Sequence, residues 1–307
     1  MSVVVLGSIN TDLTTYVPRL PGPGETLFGH SFITVPGGKG ANQAVACARL
    51  GVDTKMVGRV GNDGFGKEPL RALAEEGVDT SSIFVDEEAS TGLAVICVDD
   101  NAENSIIVIS GANMSLNDDD VIRCKLLLSD TEVVMLQNEV PIKVSIEVAR
   151  EAHAKGITVI HDPAPARELP KDYFPHVDVI TPNEVEAEAL VGFPIQSEKD
   201  AENAAAHLRA LGVGAAVIKM GQVGAYFSAE QGKGMIPAFD VDAIDTVAAG
   251  DAFNGGFAAA LVAGKPFVES VRWGTAAGAL AVTKRGAMPS LPNRKDFMNL
   301  LQEESPT

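Results

Sequence analysis

Apolar and polar positions along the chain fall into two alternating patterns. Short apolar runs at Val3–Gly7, Lys55–Gly58, Val133–Leu136, Thr158–Ile160, Val177–Ile180 and Ala215–Lys219 read as strands. Between most of them, apolar residues return every three or four positions, as in Phe65–Glu76, Lys143–Ala154 and Ala201–Leu211, which read as amphipathic helices. Strand and helix in alternation predict an α/β fold: a mostly parallel sheet with helices on both faces. Two stretches break the rhythm, because residues 13–36 and 91–109 carry strand-forming side chains with no helix between them. Such strands need a layer of their own to pack against. No internal repeat, low-complexity segment or long linker divides the chain, and residues 302–307 are expected to fray.

The first chemical signal lies in Ile244-Asp245-Thr246-Val247-Ala248-Ala249-Gly250-Asp251-Ala252-Phe253-Asn254. Asp251 follows three small residues at the start of a helix that continues through Phe257 and Leu261. Small residues at Ala248, Ala249 and Gly250 let first-turn amides approach a phosphate, where the helix dipole also favours negative charge. Asp251 would then stand about one hydrogen bond from an attacking alcohol, as a general base. An ordinary helix cap uses the same Gly-Asp pair. The segment alone leaves both readings open.

A second signal is the turn Pro36-Gly37-Gly38-Lys39-Gly40-Ala41-Asn42-Gln43, which runs directly into the apolar-periodic positions Ala44, Val45 and Ala48. Glycine weakens local structure unless the backbone needs room or positive φ, so a solvated turn does not account for this density. Lys39 and Asn42 are the groups here able to bond a polyol. Upstream, Asn10 and Asp12 follow the apolar strand Val3–Gly7, and side chains beyond the carboxyl end of a parallel strand face the ligand crevice of open α/β sheets. They are candidate hydroxyl binders, unless they merely close a turn. Glu139, just beyond another buried-looking strand, is placed to accept two vicinal hydroxyls.

Gly7–Asp12, Pro23–Thr26, Gly37–Gln43, Gly111–Asn113, Asp162–Ala166, Thr181–Glu186 and Asp245–Asp251 occur in the order found in a known family. Over essentially its whole length the chain resembles the ribokinases, within the PfkB group of carbohydrate kinases. The resemblance implies a single ribokinase-like α/β/α domain over 1–307, with a small β-sheet lid formed by about 13–36 and 91–109 that pairs with its twin in a homodimer. It implies ATP-dependent phosphorylation of a sugar hydroxyl, with D-ribose at its 5-hydroxyl favoured over deoxyribose, fructose or a nucleoside. A sugar-binding regulator without catalysis is the competing class, and it would not need to keep Asp251.

By the same resemblance Asp251 is the base, and Asn10, Asp12, Gly38, Lys39, Asn42 and Glu139 bind sugar. Asn183, Lys219, Gly221, Gly224, Gly250 and Thr275 would meet the nucleotide, although a core-helix role suits Thr275 equally well. Asn183 and Glu186 share a helix face. Glu186 would act in a Mg²⁺ network, and an acidic first turn is the plain alternative. K⁺ would be held near the anion hole by Asp245, Val247, Ala281, Lys284, Gly286 and Ser290, mostly through backbone oxygens, which suit a large hard cation. The Lys284 side chain could instead act as a built-in cation. Lys219 replaces the threonine often seen in ribokinases, and His161 stands where asparagine is expected. His161 adjoins the presumed catalytic layer, so it either alters substrate preference or is a strand-end histidine without consequence.

Composition narrows the remaining classes. With 41 acidic and 24 basic residues the net charge is −17, which argues against nucleic acid or an anionic membrane as partner. The amino terminus starts in a strand without a signal sequence, and no apolar run reaches membrane-span length, so a cytoplasmic enzyme is expected. Cys47, Cys97 and Cys124 lack ligand spacing and read as reduced, mostly core residues, while His30, His153, His176 and His207 are too scattered for a metal site. Gly61–Lys67 has the spacing of a P-loop, but Glu68 occupies the position of the magnesium-binding hydroxyl and would repel a triphosphate. Gly58–Lys67 reads instead as a turn between a strand and a helix.

Overall fold

A computed structural model describes residues 2–101 and 103–303. In chain order the elements are β1 (Ser2–Leu6), β2 (Asn10–Tyr16), β3 (Ser31–Gly37), α1 (Lys39–Arg49), β4 (Asp53–Gly61), α2 (Lys67–Glu75), β5 (Asp79–Asp86), β6 (Gly92–Val98), β7 (Asn104–Ile109), α3 (Asp118–Leu127) and β8 (Thr131–Gln137). There follow α4 (Ile142–Ala154), β9 (Thr158–Asp162), β10 (Val179–Ile180), α5 (Glu184–Val191), α6 (Glu198–Ala210), β11 (Ala215–Lys219), β12 (Gly224–Ala229), β13 (Gly232–Pro237), α7 (Ala249–Val262), α8 (Phe267–Val282) and α9 (Arg294–Glu303).

The central sheet has nine strands in the order β13-β12-β11-β10-β9-β8-β1-β4-β5, parallel except for the β11-β12-β13 edge. Side chains alternate across it as the period of two requires. Val3 and Val5 pack with Val45, Phe253 and Phe257 on the α1, α7 and α8 side, while Val4 and Leu6 pack with Cys124, Val148 and Leu208 on the α3, α4 and α6 side. Phe257 is fully buried and meets Phe267 edge-on at 5.6 Å, so truncating it to alanine would cost about 3–5 kcal/mol.

A second sheet, β3-β2-β6-β7, is built from the two stretches that lacked helices. It begins three residues earlier than the sequence boundary of 13, because β2 pairs from Asn10 with Gly37 and Gly92. Asn10 and Asp12 therefore lie on this small sheet and not at the end of a central strand. The run Val177–Ile180 shortens to β10, since the Val177 amide is taken by the carbonyl of Phe174 in a preceding turn. The strand β5 and the hairpin β12-β13 lacked a clear sequence signature. Of the tail, Gln302 belongs to α9 and 304–307 lie outside the described residues. Among the described residues no helix is long and apolar enough to cross a membrane.

Candidate active site

Asp251, the expected base, lies in the first turn of α7. Ala248 is the helix N-cap with φ 61° and ψ 9°, the one non-glycine residue in the left-handed region among those described. Such a conformation costs roughly 1–2 kcal/mol and aims successive amides into one concavity. The first helical bond is Ala252 N–H to the Ala248 carbonyl at 2.8 Å, which leaves the Gly250 and Asp251 amides ahead of the ladder. Of the three residues expected to line an anion hole, Ala248, Ala249 and Gly250, the Ala249 amide is directed at the Thr246 carbonyl at 3.3 Å. The cap reading of Asp251 is excluded, because it sits inside the first turn and its side chain caps nothing.

Asp251 is buried and held by two consecutive residues of α1. Asn42 Nδ2 donates to its Oδ2 at 3.0 Å and Gln43 Nε2 to its Oδ1 at 3.1 Å. Burial pushes its pKa up to about 6, with Lys39 opposing and Asp162 adding to the rise. A carboxylate tuned toward neutrality in a cleft is suited to proton transfer.

The glycine turn exists so that α1 can begin against the β1–β2 connection. A Cβ on Gly38, whose φ is 90°, would lie 2.8 Å from the Ser8 carbonyl oxygen, and one on Gly40 would lie 2.7 Å from Gly7. This approach brings Lys39, Asn42 and Asp12 near Asp251, with Glu139 beside Lys39 and Asp12. Glu139 Oε2 accepts from Ser8 Oγ and from the Lys39 amide at 3.1 Å, while Asn10 Oδ1 accepts from Asn113 Nδ2 at 2.7 Å. Burial, then Glu139 and Asp251, push Asp12 up to about 6. Burial disfavours the Lys39 ammonium, but Asp251, Asp162, Glu139 and Glu186 outweigh it and hold the pKa above the ordinary lysine range. Lys39 is thus a charged member of the site and not a solvated turn lysine.

Asp251 and Lys39 also line a cavity of about 1000 Å³, together with Lys219, Gly221, Gly224, Gly250 and Thr275, among others. Lys219 Nζ bonds Asp162 Oδ1 at 2.9 Å. Thr275 Oγ1 donates to the Val271 carbonyl at 3.0 Å, so the residue lines the cavity while its hydroxyl serves α8. Asn183 and Glu186 form a reciprocal capping box at α5, each side-chain-to-amide bond being 2.8 Å. Glu186 Oε2 is occupied by the box, and Oε1 has no hydrogen-bond partner among the described residues. Burial raises Glu186 above the usual carboxylate range, against the pull of Lys219. One free carboxylate oxygen at a cavity wall fits Mg²⁺, which keeps most of its waters and takes few protein ligands.

The segments named for K⁺ do meet. Asp245 Oδ1 accepts from the Val247 amide at 3.0 Å and Oδ2 from the Gly286 amide at 2.9 Å, and the Ile244 and Asp245 amides both bond the Val282 carbonyl. Ser290 Oγ donates to the Ala287 carbonyl at 2.7 Å, and the Ala281 carbonyl accepts from the Lys284 amide at 3.2 Å. Lys284 Nζ points toward Asp296, 3.9 Å away. The stapled loop, rich in backbone oxygens, fits a large cation.

Three sequence signals resolve as structural. His161 shares a sheet face with Leu136 and Ile180, in the α3, α4 and α6 layer, and its Nδ1 lies 3.0 Å from the Tyr173 hydroxyl. Burial holds its pKa down to about 4, and its neutral ring lies across the sheet from Asp251. In the P-loop look-alike, Asp63 Oδ1 accepts from the Phe65 and Gly66 amides, so that turn already holds its own anion. Cys47 and Cys124 are buried, with thiols pushed up to about 12, and Cys97 is half-buried in β6. Conversely, the sequence reading passed over Gln43, Gln137 and Ser8, whose uncharged side chains carry no signal apart from their position in the fold.

Residues 1–294 match the description pfkB family carbohydrate kinase. A ribokinase of Haemophilus influenzae is 41% identical over 302 residues, covering 98% of each chain. A deoxyribokinase of Salmonella typhi is 36% identical over 302 residues, covering 98% of this chain and 99% of its own. The structure of Arabidopsis thaliana ribokinase complexed with ribose and ATP superposes with a TM-score of 0.91 at 34% identity, covering 98% of both chains.

Proposed function

The chain belongs to the pfkB family of carbohydrate kinases, and from that premise we propose that it transfers the γ-phosphoryl group of ATP to the 5-hydroxyl of D-ribose, giving ribose 5-phosphate. The observation that carries this reading is the placement of buried Asp251 between a hydroxyl-binding cluster and a nucleotide-sized cavity, beside the open amides of α7. Asn10, Asp12, Lys39, Asn42 and Glu139 would bind the sugar. Asp251 takes the proton of the attacking hydroxyl. The Gly250 and Asp251 amides and Lys219 receive the transferring phosphoryl group, since this chemistry depends mainly on positioning and charge neutralisation.

Asn183, Gly221, Gly224 and Thr275 would wall the nucleotide. Glu186 would hold Mg²⁺ through water, and the bound metal neutralises charge on the β- and γ-phosphates. K⁺ would sit at the loop stapled by Asp245. The whole chain would act as one domain with the small sheet as lid. Its edge strand β7 exposes Ile106, Ile107, Val108 and Ile109, and β3 exposes Phe32 and Ile33, which suits lid-to-lid pairing in a homodimer. Light scattering at several concentrations tests that pairing, and a cytoplasmic setting agrees with this chemistry.

A coupled assay of ADP release over pentoses, hexoses and nucleosides tests the function, with the highest kcat/KM expected for D-ribose. A higher value for deoxyribose would assign the chain to the activity named for its Salmonella relative, and no ADP release with any of the sugars would leave a regulator.

A further inference from the structure

Gln43 is fully buried on α1 and uses its whole carboxamide. Its Nε2 donates to Asp251 Oδ1 at 3.1 Å and to Asp162 Oδ2 at 2.9 Å, while its Oε1 accepts from Gln137 Nε2 at 2.8 Å. This orientation is fixed by chemistry, because the reverse one would aim a carbonyl oxygen at two carboxylates. Asp162 in turn holds Lys219, whose Nζ faces Gly250 at the mouth of the nucleotide cavity. One continuous buried chain therefore runs Gln137, Gln43, Asp162, Lys219, with Asp251 attached at Gln43.

We propose that Gln43 is a positioning residue for phosphoryl transfer, clamping the base Asp251 and tying it to the Asp162–Lys219 pair of the nucleotide cavity. The proposal rests on the kinase reading above. Neither carboxylate can be neutralised by the amide, yet both are oriented by it, and Asn42 fixes the second oxygen of Asp251 at 3.0 Å. With both oxygens held, the carboxylate plane is set before any sugar arrives. That is the preorganisation a base needs. Proton affinity follows the same geometry: the Gln43 bond favours the charged form of Asp251, and Asp162 disfavours it. The charged groups around Asp251 are Lys39 on α1, Asp162 on β9 and Asp12 on β2, with Glu139, Glu186 and Lys219 one layer out.

The test uses two variants of the full chain, Gln43→Met, which keeps length without donors, and Asp162→Asn, which removes one like charge. Gln43→Met should lower kcat by roughly 10- to 100-fold with each KM changed less than about threefold, and should move the acid limb of kcat to higher pH. Asp162→Asn should move that limb to lower pH. The carboxyl titration of Asp251, followed by ¹³C NMR in protein without substrate, should shift in the same two directions. Opposite shifts are not produced by general loosening of the core. Unchanged kcat in Gln43→Met, or titrations that stay in place or move together, would overturn the proposal. Because the NMR titration needs no turnover, it stands even if the unsubstituted chain proves inactive on every sugar.

Discussion

Lys219 Nζ stands 3.3 Å from where a Cβ on Gly250 would sit, so its ammonium lies directly over the helix start that precedes Asp251. In sequence this lysine is a departure from the ribokinase pattern, and its place puts a positive charge beside the first turn of α7. Its partner Asp162 is 2% exposed in its side chain, and Lys219 is 12% exposed in its own, so the pair is buried. Lys219→Met should therefore weaken ATP affinity and also strand a buried carboxylate, a loss of about 3–5 kcal/mol. Adding Asp162→Asn should restore most of the stability but not the ATP affinity. Denaturant melts and ATP titrations of the two singles and the double separate these effects, and recovery of both together would make the lysine purely structural.

Asp251→Asn should lower turnover by at least ~10²-fold while sugar binding persists, the usual scale for loss of a general base. Asn42 Oδ1 is buried without a hydrogen-bond partner, so its amide can turn over and accept from the new asparagine. In the unsubstituted protein, kcat should decline below about pH 6, where the carboxyl becomes protonated. Stability carries the opposite sign. A carboxyl raised from 3.8 to about 6 favours the folded state at low pH, and that contribution is lost as pH rises through 6. Asp251→Asn should thus gain on the order of 2 kcal/mol over the parent at pH 8, shrinking toward pH 4. Thermal melts across that range check the trend.

The sugar cluster makes a different prediction. Alanine at Asp12 or at Glu139 should raise the KM for sugar by roughly one to two decades, the equivalent of leaving a buried polar partner unpaired at ~1–3 kcal/mol, with the KM for ATP nearly unchanged. Glu139 also holds Ser8 Oγ and the Lys39 amide, so its loss should cost some stability that Asp12 does not. Equal weakening of sugar and ATP in both variants would point to misfolding.

What the sequence made legible follows from what each signal needs. The central strands were readable because both of their faces are buried, giving runs such as Val3–Leu6 that no loop would carry. The edge strands β5 and β13 are largely exposed and so lacked that signature. Lys39, Asn42 and Asp251 stand out in the sequence because charge or glycine marks them, and Asp12 and Glu139 because they trail apolar runs. Gln43 was missed although it adjoins Asn42. A buried glutamine acquires meaning only from the two carboxylates, on β9 and α7, that the fold brings to it. For His161 the sequence left two readings open, and the fold favours the strand-end histidine: its side chain is one residue out of phase with Asp162, and a period of two sends it to the other face.

Potassium activation is the last expectation, and Asp245 carries it. Both of its oxygens accept backbone amides, from Val247 and Gly286, so it joins the loop before α7 to the segment after α8. A cation among the carbonyls of Val247, Ala281, Lys284, Gly286 and Ser290 would stiffen that junction and, four residues on, the amides beside Asp251. Rates should rise with millimolar K⁺ and respond poorly to Na⁺, which fits a cage of carbonyl oxygens of that size less well. Asp245→Ala should abolish the response, since carbonyl dipoles alone would then have to replace the hydration shell. Asp245→Asn separates charge from scaffold: it keeps one acceptor oxygen for the staple and should fold normally while responding weakly to K⁺. Activity in potassium, sodium and Tris salts with magnesium held constant gives the measurement. Lys284 Nζ is directed toward Asp296 at 3.9 Å, away from Asp245, and equal rates in all three salts would mean that this loop is held by Asp245 without an ion.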